Sequence, residues 1–402
     1  MKRWEAIEIC NRLRGETILV YGPGGLSSEI DAKSPSDFNI YSPMPYPTPF
    51  GLGLALALPK QKIMVMEGDG SALSGLTALP TVATVSPANL IHVIWDNGTW
   101  LSSGTMGTKG HYGPVPAPTA VRTDLTAHAK AAGFDRALTV HTLDEFERAL
   151  KQALSESAPC YIVAKVERTL MPEITTKQVG TVEEAIHFRR ALIKRGWVSA
   201  GHAGVSQGKW LAPADRSAPV TIPDVRIEQE TGPRPSLEKA RIIYSSLREA
   251  GIDFVAYVPD SANYLIQRFA REDNNITCVA ATREDDALAI ALGAFMGGRN
   301  PAVIMEASGL GLCPLALAIL SHEQRLGALL LYSHNFALGE VRSSHACTRW
   351  IADPLFDALM IPHLTIMDIK DAPLIIKQAW RTVRGQMCPV AISLPLGVIW
   401  DE

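Results

Sequence analysis

Short, uniformly apolar runs recur along this chain, each closing in a glycine, proline or polar turn and followed by a longer stretch of helical period. Ile18–Val20 leads into Tyr-Gly-Pro. Ile63–Met66 leads into Glu-Gly-Asp-Gly. Leu90–Trp95 leads into Asp-Asn-Gly-Thr. Apolar and polar positions at helical spacing predict amphipathic helices over Trp4–Leu13 and Leu237–Ala250. Continuous apolar strands alternating with helices predict parallel sheets covered on both faces. The expected fold class is therefore α/β, with two similar doubly wound parallel-sheet domains.

The second domain follows from an internal repeat. VMEGDGSALSGLTAL, starting at Val65, recurs as IMEASGLGLCPLALA from Ile304. LIHVIWDN ending at Asn97 recurs as ALLLYSHN ending at Asn335, and ILVYGP from Ile18 as FVAYVP from Phe254. The three landmarks keep nearly the same offset. Each half also ends in proline and a β-rich run, APCYIVAKV and CPVAISLPL. Between the halves, residues 197–235 hold four glycines and five prolines without a sustained period, which reads as a linker. The expected domains are 1–196 and 236–402.

Composition narrows the class. A chain of 402 residues with 47% apolar content can build two ordinary cores. A net charge of −3 gives no basic balance for nucleic acid or an anionic membrane. The apolar runs fall short of a bilayer span, and MKRWEAIEIC at the N-terminus is charged and helical without a signal-peptide core. Cys10, Cys160, Cys278, Cys313, Cys347 and Cys388 are scattered with no CxxC spacing, so reduced thiols in a cytoplasmic protein are expected rather than a zinc site or disulfide framework.

The chemistry concentrates at two strand ends. Asp69 offers a carboxylate oxygen, Asn97 an amide oxygen and Thr99 a backbone carbonyl, all hard ligands suited to Mg²⁺. Gly68 and Gly70 let the backbone approach phosphate oxygens, with Ser71 beside them. The competing reading is a pair of tight turns with an aspartate helix cap. Ligands of parallel sheets bind at the carboxyl ends of strands, where these residues lie.

The GDG and NGT pairing resembles the diphosphate and metal motif of thiamine diphosphate (ThDP) enzymes. The likeness extends over nearly the whole chain outside the linker, and runs closest to sulfopyruvate and phosphonopyruvate decarboxylases. The first half resembles the diphosphate-binding domain and the second the pyrimidine-binding domain, an order that suggests a β-type chain fused ahead of an α-type chain. CVAATREDDALAIALGAFMGG from Cys278 is similar to the segment in which the family carries a glutamate that contacts the pyrimidine ring nitrogen. Glu284 matches it. Asp285 and Asp286 suit an acidic helix N-terminus.

Other correspondences are looser. Met44 falls where relatives place an apolar residue under the cofactor, but Pro43 and Pro45 replace the usual glycines, and a core methionine is the alternative. SGLGL resembles an SGLGN stretch with Leu312 in place of the asparagine. His345 fits the position of a catalytic histidine, with a surface-loop histidine as the alternative and His334 as a competitor. Ser308 stands where Asp69 stands in the first half, which implies one metal site per chain. Lys109 and His111 lie in a Gly-, Thr- and Pro-rich loop that reads either as a lid over an anionic substrate or as solvated polars. In GPGGLSSE, residues Ser27, Ser28 and Glu29 read as a helix cap, in a loop that relatives use near substrate.

The resemblance implies decarboxylation of a 2-oxo acid to an aldehyde with ThDP and Mg²⁺, Glu284 and His345 being catalytic and the substrate carrying a second anion. A ThDP-dependent carboligase and a non-catalytic ThDP-binding protein are the alternatives. It also implies a homodimer or homotetramer with sites at the chain interface.

Overall fold

The computed structural model describes residues 1–23, 25–100, 115–169, 171, 180–199, 234–334, 345 and 347–401. The apolar runs become two six-stranded sheets in which every pairing is parallel. In the first, β1 (Ile18–Tyr21), β2 (Asn39–Tyr41), β3 (Ile63–Gly68), β4 (Leu90–Asp96), β5 (Ala137–Val140) and β6 (Cys160–Lys165) lie in the order β2-β1-β3-β4-β6-β5. In the second, β7 (Phe254–Tyr257), β8 (Thr277–Ala280), β9 (Pro301–Glu306), β10 (Leu329–His334), β11 (His363–Thr365) and β12 (Val390–Pro395) lie in the order β8-β7-β9-β10-β12-β11. The two orders are the same, so the repeat seen in sequence is a repeat of topology.

Both faces of these strands are covered, which is why they read as unbroken apolar runs. On β3, Ile63 and Val65 point into one buried cluster while Met64 and Met66 point into another with Ile91, Val93 and Trp95. The first of these clusters continues into the second half, through Leu288, Ile290 and Phe295. The halves therefore share a core.

The shared core is built on two helices, with α1 (Arg3–Leu13) and α2 (Gly25–Lys33) on the outer side of the first sheet. Helix α3 (Pro47–Ala57) begins with proline in its first turn and buries every residue from Pro47 to Ala55. Helix α6 (Glu284–Met296) buries every residue from Asp285 to Met296. Among the helices between them in the chain are α4 (Asp69–Ser74) and α5 (Leu237–Glu249). Helices apolar all round belong inside a large protein. Where α3 crosses α6 the backbones touch. A Cβ on Gly53 would lie 2.0 Å from the Ile290 carbonyl oxygen, and one on Gly293 2.2 Å from that of Phe50. Only glycine allows this approach.

Past the first half, Trp197 stacks on Phe38 at 5.0 Å and Val198 packs against Gly298. Arg234–Pro235 pairs antiparallel with Trp400–Asp401. Residues at both ends of the expected linker are thus packed, and 200–233 lie outside the described residues. Cys10, Cys160, Cys278, Cys313 and Cys388 are free thiols. No helix among the described residues is long and apolar enough to cross a membrane.

Candidate active site

In an open parallel sheet the cleft for a ligand forms where neighbouring connections run in opposite directions. In the first sheet that point lies between β1 and β3, and β3 ends at Gly68. Asp69 opens α4 and is only 2% exposed. Its Oδ1 accepts from the Gly70 amide at 3.0 Å, and its Oδ2 from the Gly98 amide at 3.0 Å and the Thr119 hydroxyl at 2.6 Å. Burial, with the charge of Asp96 nearby, pushes its carboxyl up to about 6. Asp96 itself is paired with Lys165.

The Asn97–Thr99 turn closes on itself. Asn97 Oδ1 accepts from the Thr99 amide at 2.8 Å and its hydroxyl at 2.9 Å. Gly98 takes φ +66°, a conformation open to glycine, and the turn is held from outside by Arg168 on the Asn97 carbonyl. Gly70 has no room for a side chain because a Cβ would meet the Trp100 ring at 2.2 Å, whereas Gly68 faces open space. Beneath this corner, Glu67 is buried and accepts from Ser71 Oγ at 2.6 Å and Thr48 Oγ1 at 2.7 Å. Burial pushes Glu67 up to about 7. It links the first turns of α3 and α4.

The second half meets the first through Tyr46 and Thr77 within the same chain. Tyr46 donates to Asp285 at 3.4 Å, and Thr77 Oγ1 to Asp286 at 2.9 Å. Thr282 Oγ1 donates to the Thr77 carbonyl. Arg283 grips Asp285 at 2.9 and 3.0 Å. Asp285 and Asp286 are therefore buried in the contact between halves, and Glu284 is the partly exposed acid of the three. Its side chain lies over Gly309, where a Cβ would stand 2.1 Å from Glu284 Cγ. Burial, then the charges of Asp285 and Glu306, raise its pKa. Within one chain the two halves meet at the glycine-mediated crossing of α3 and α6, and α6 carries Glu284 at its first residue.

Met44, 37% exposed, is not a core methionine. It sits just before α3, between Pro43 and Pro45. His345 Nε2 lies 3.5 Å from Glu306 Oε1 at the end of β9. His334 is hydrogen-bonded to Ser393 on β12, and its burial lowers its pKa. Ser308 is exposed, and no acid takes the place of Asp69 there. Ser27, Ser28 and Glu29 are not a cap, since α2 already starts at Gly25. Glu29 is fully buried and bound by Arg3 at 2.6 and 3.0 Å. Lys109, His111 and Asn335 lie outside the described residues. Thr119, Glu67, Asp96, Lys165 and Arg168 are site residues that sequence reasoning misses. Only Asp96 has a local signal, as the neighbour of Asn97.

Comparison with known proteins agrees with this arrangement. Residues 30–164 match the family model for the thiamine pyrophosphate enzyme, C-terminal TPP binding domain. The chain is 32% identical over 151 residues to the sulfopyruvate decarboxylase α subunit of Methanocaldococcus jannaschii, covering 37% of this chain and 89% of that one. It is 37% identical over 102 residues to the β subunit from the same organism, covering 25% of this chain and 49% of that one. Benzoylformate decarboxylase from Polynucleobacter necessarius shares the fold, with a TM-score of 0.56 at 12% identity, covering 98% of each chain. A chain with this duplicated fold, this strand-end corner and these relatives belongs to the thiamine diphosphate-dependent decarboxylases, close to the sulfopyruvate and phosphonopyruvate decarboxylases.

Proposed function

We propose that this chain decarboxylates a 2-oxo acid bearing a second anionic group, a sulfonate or phosphonate, to the corresponding aldehyde, using Mg²⁺ with its ThDP. The observation that carries this reading is a buried Asp69 corner on one half of a chain whose other half presents the partly exposed Glu284 beside residues that bond across to the first half. The residues fit a hard divalent cation. Asp69 is a buried carboxylate with no ion pair shown among the described residues. Its three hydrogen bonds leave capacity on a group with about four acceptor positions. Asn97 and Thr99 add oxygen donors once the Thr99 hydroxyl turns away. The relatives' names supply the substrate class, and their separate α and β subunits support reading this chain as the two joined, with β-type sequence first. Oligomers of such a chain would carry one complete site in each copy, since Ser308 leaves the second half without the acid.

When bound, the cofactor supplies the nucleophilic carbon and the electron sink for loss of CO₂. The protein's part is positioning and proton management. Asp69, Asn97 and the Thr99 carbonyl hold the metal, while Gly68, Gly70 and Ser71 line the approach of the diphosphate. Glu284 would exchange a proton at the pyrimidine end, and burial raises its pKa. Met44 projects from the turn before α3 to support the cofactor from below. His345 moves a proton at the substrate end of the cleft.

The test combines binding and turnover. Calorimetric titration with ThDP in Mg²⁺ should show one site per chain and lose it in Asp69→Ala. Glu284→Gln should keep binding and lose a factor of about 10²–10⁴ in turnover. CO₂ release across a panel of 2-oxo acids, with product analysis in the presence of added aldehyde, identifies the substrate and separates decarboxylation from ligation. Unchanged ThDP affinity in Asp69→Ala refutes the metal assignment.

A further inference from the structure

The second sheet repeats the topology of the first, so it has its own reversal point between β7 and β9. There Glu306 ends β9, in the place that Glu67 holds on β3. The two glutamates have diverged. Glu67 is buried against hydroxyls beneath the metal corner, whereas Glu306 keeps about a third of its side chain exposed and faces His345 at 3.5 Å. Three residues further on, Gly309 provides the surface on which Glu284 lies. The charge of Glu306 reaches Glu284, and it also reaches Asp260 at the end of β7.

Asp260 is already committed. It accepts from the Ala262 amide at 2.8 Å and from Asn263 at 2.6 Å, which fixes the turn after β7. Arg283 is committed to Asp285. His345 lies on the chain after β10 and reaches back to β9. Around Glu306, then, stand Asp260, Glu284 and the imidazole of His345, with Ser333 its register partner across the sheet.

We propose that Glu306 is a positioning residue that acts through His345, aiming the imidazole into the cleft beside Glu284. A carboxylate facing one ring nitrogen favours one orientation and tautomer of the ring. The proposal rests on the role given above to His345, and the experiment keeps the two apart.

Glu306→Gln, His345→Ala and the double variant are compared by ThDP calorimetry, by kcat and KM, and by the ¹⁵N resonances of the His345 ring. His345→Ala should lower kcat by about 10²–10⁴. Glu306→Gln should lower kcat by about tenfold, with KM and ThDP affinity held, and should shift the ring resonances. The double variant should be no slower than His345→Ala alone, because the two act as one unit. Glu306→Asp should recover part of the lost kcat. If His345→Ala turns over normally, the role of His345 falls and this inference with it. If His345→Ala is slow but Glu306→Gln keeps wild-type kcat or an unmoved ring spectrum, or if the two losses multiply, only the inference falls. Circular-dichroism melting verifies that each variant is folded. Should the glutamine variant not fold, Glu306→Asp takes its place: shifted ring resonances support the inference, and an unmoved spectrum overturns it.

Discussion

Gly293→Ala is the sharpest test of a site assembled within one chain. The added methyl would sit 2.2 Å from the Phe50 carbonyl oxygen, 3.0 Å from its carbon and 3.2 Å from its Cα. All three are backbone atoms of α3, so no rotamer change relieves the clash. Restoring ordinary contact requires α3 and α6 to part by roughly 1 Å. Overpacking of this kind costs about 1–3 kcal/mol. Helix α6 carries Glu284 at its first residue and α3 follows Met44, so the same displacement opens the cofactor cleft. ThDP affinity should fall about tenfold for each 1.4 kcal/mol of the strain that binding must reverse. Turnover should fall by up to about 10², the scale of a 1 Å misplacement. Gly385→Ala is the control, since its Cβ would enter open space in an exposed helix turn, where alanine is favoured over glycine by about 1 kcal/mol. Urea unfolding, ThDP calorimetry and CO₂ release are the assays. A Gly293→Ala protein equal to wild type in all three would refute the claim that this crossing sets the cleft. Gly53→Ala, which meets the Ile290 carbonyl oxygen at 2.0 Å, should behave like Gly293→Ala.

Three other outcomes are expected. His92 is fully buried between Phe134 and Tyr161, neither ring nitrogen has a hydrogen-bond partner among the described residues, and burial lowers its pKa from 6.5 to about 3. The unfolded chain therefore binds a proton below pH 6.5 that the folded chain refuses, so this histidine costs stability as pH falls, by about 2 kcal/mol at pH 5. His92→Phe should gain that margin at pH 5 over its effect at pH 7.5 in urea melts, and a pH-independent difference would count against the assignment. Glu29→Ala should cost about 3–5 kcal/mol by stranding the buried Arg3, while ThDP affinity in the folded fraction stays at wild type; a selective loss of affinity would instead place Glu29 at the substrate. Mixtures of Asp69→Ala and Glu284→Gln chains should stay inactive, and activity regained after subunit exchange would mean that sites are shared between chains.

The sequence by itself determined the elements and the strand-end chemistry. Buried parallel strands leave continuous apolar runs, and Gly-Asp-Gly and Asn-Gly-Thr lie within a few residues of strand ends. Those signals are local, so Asp69, Asn97 and Thr99 stand out as candidates in the sequence, and the matching runs from Ile304 and Phe254 expose the duplication. Tertiary structure decided what depends on atoms far apart in the chain. Glu67 and Glu306 occupy equivalent places in the repeat, yet one is buried against Thr48 and Ser71 while the other faces His345; Ser71 is a local difference, since Leu310 stands in its place after Glu306, but Thr48 and His345 are brought in only by the fold. Thr119 reaches Asp69 from 50 positions further along the chain, without a spacing signal. Glu29, read as part of a cap, is held by Arg3 because α1 and α2 pack together. The meeting of the halves in one chain rests on Gly53 and Gly293. A glycine inside a helical pattern weakens the helix locally, and the reason for both glycines appears only when a second backbone lies 2 Å from where a side chain would begin.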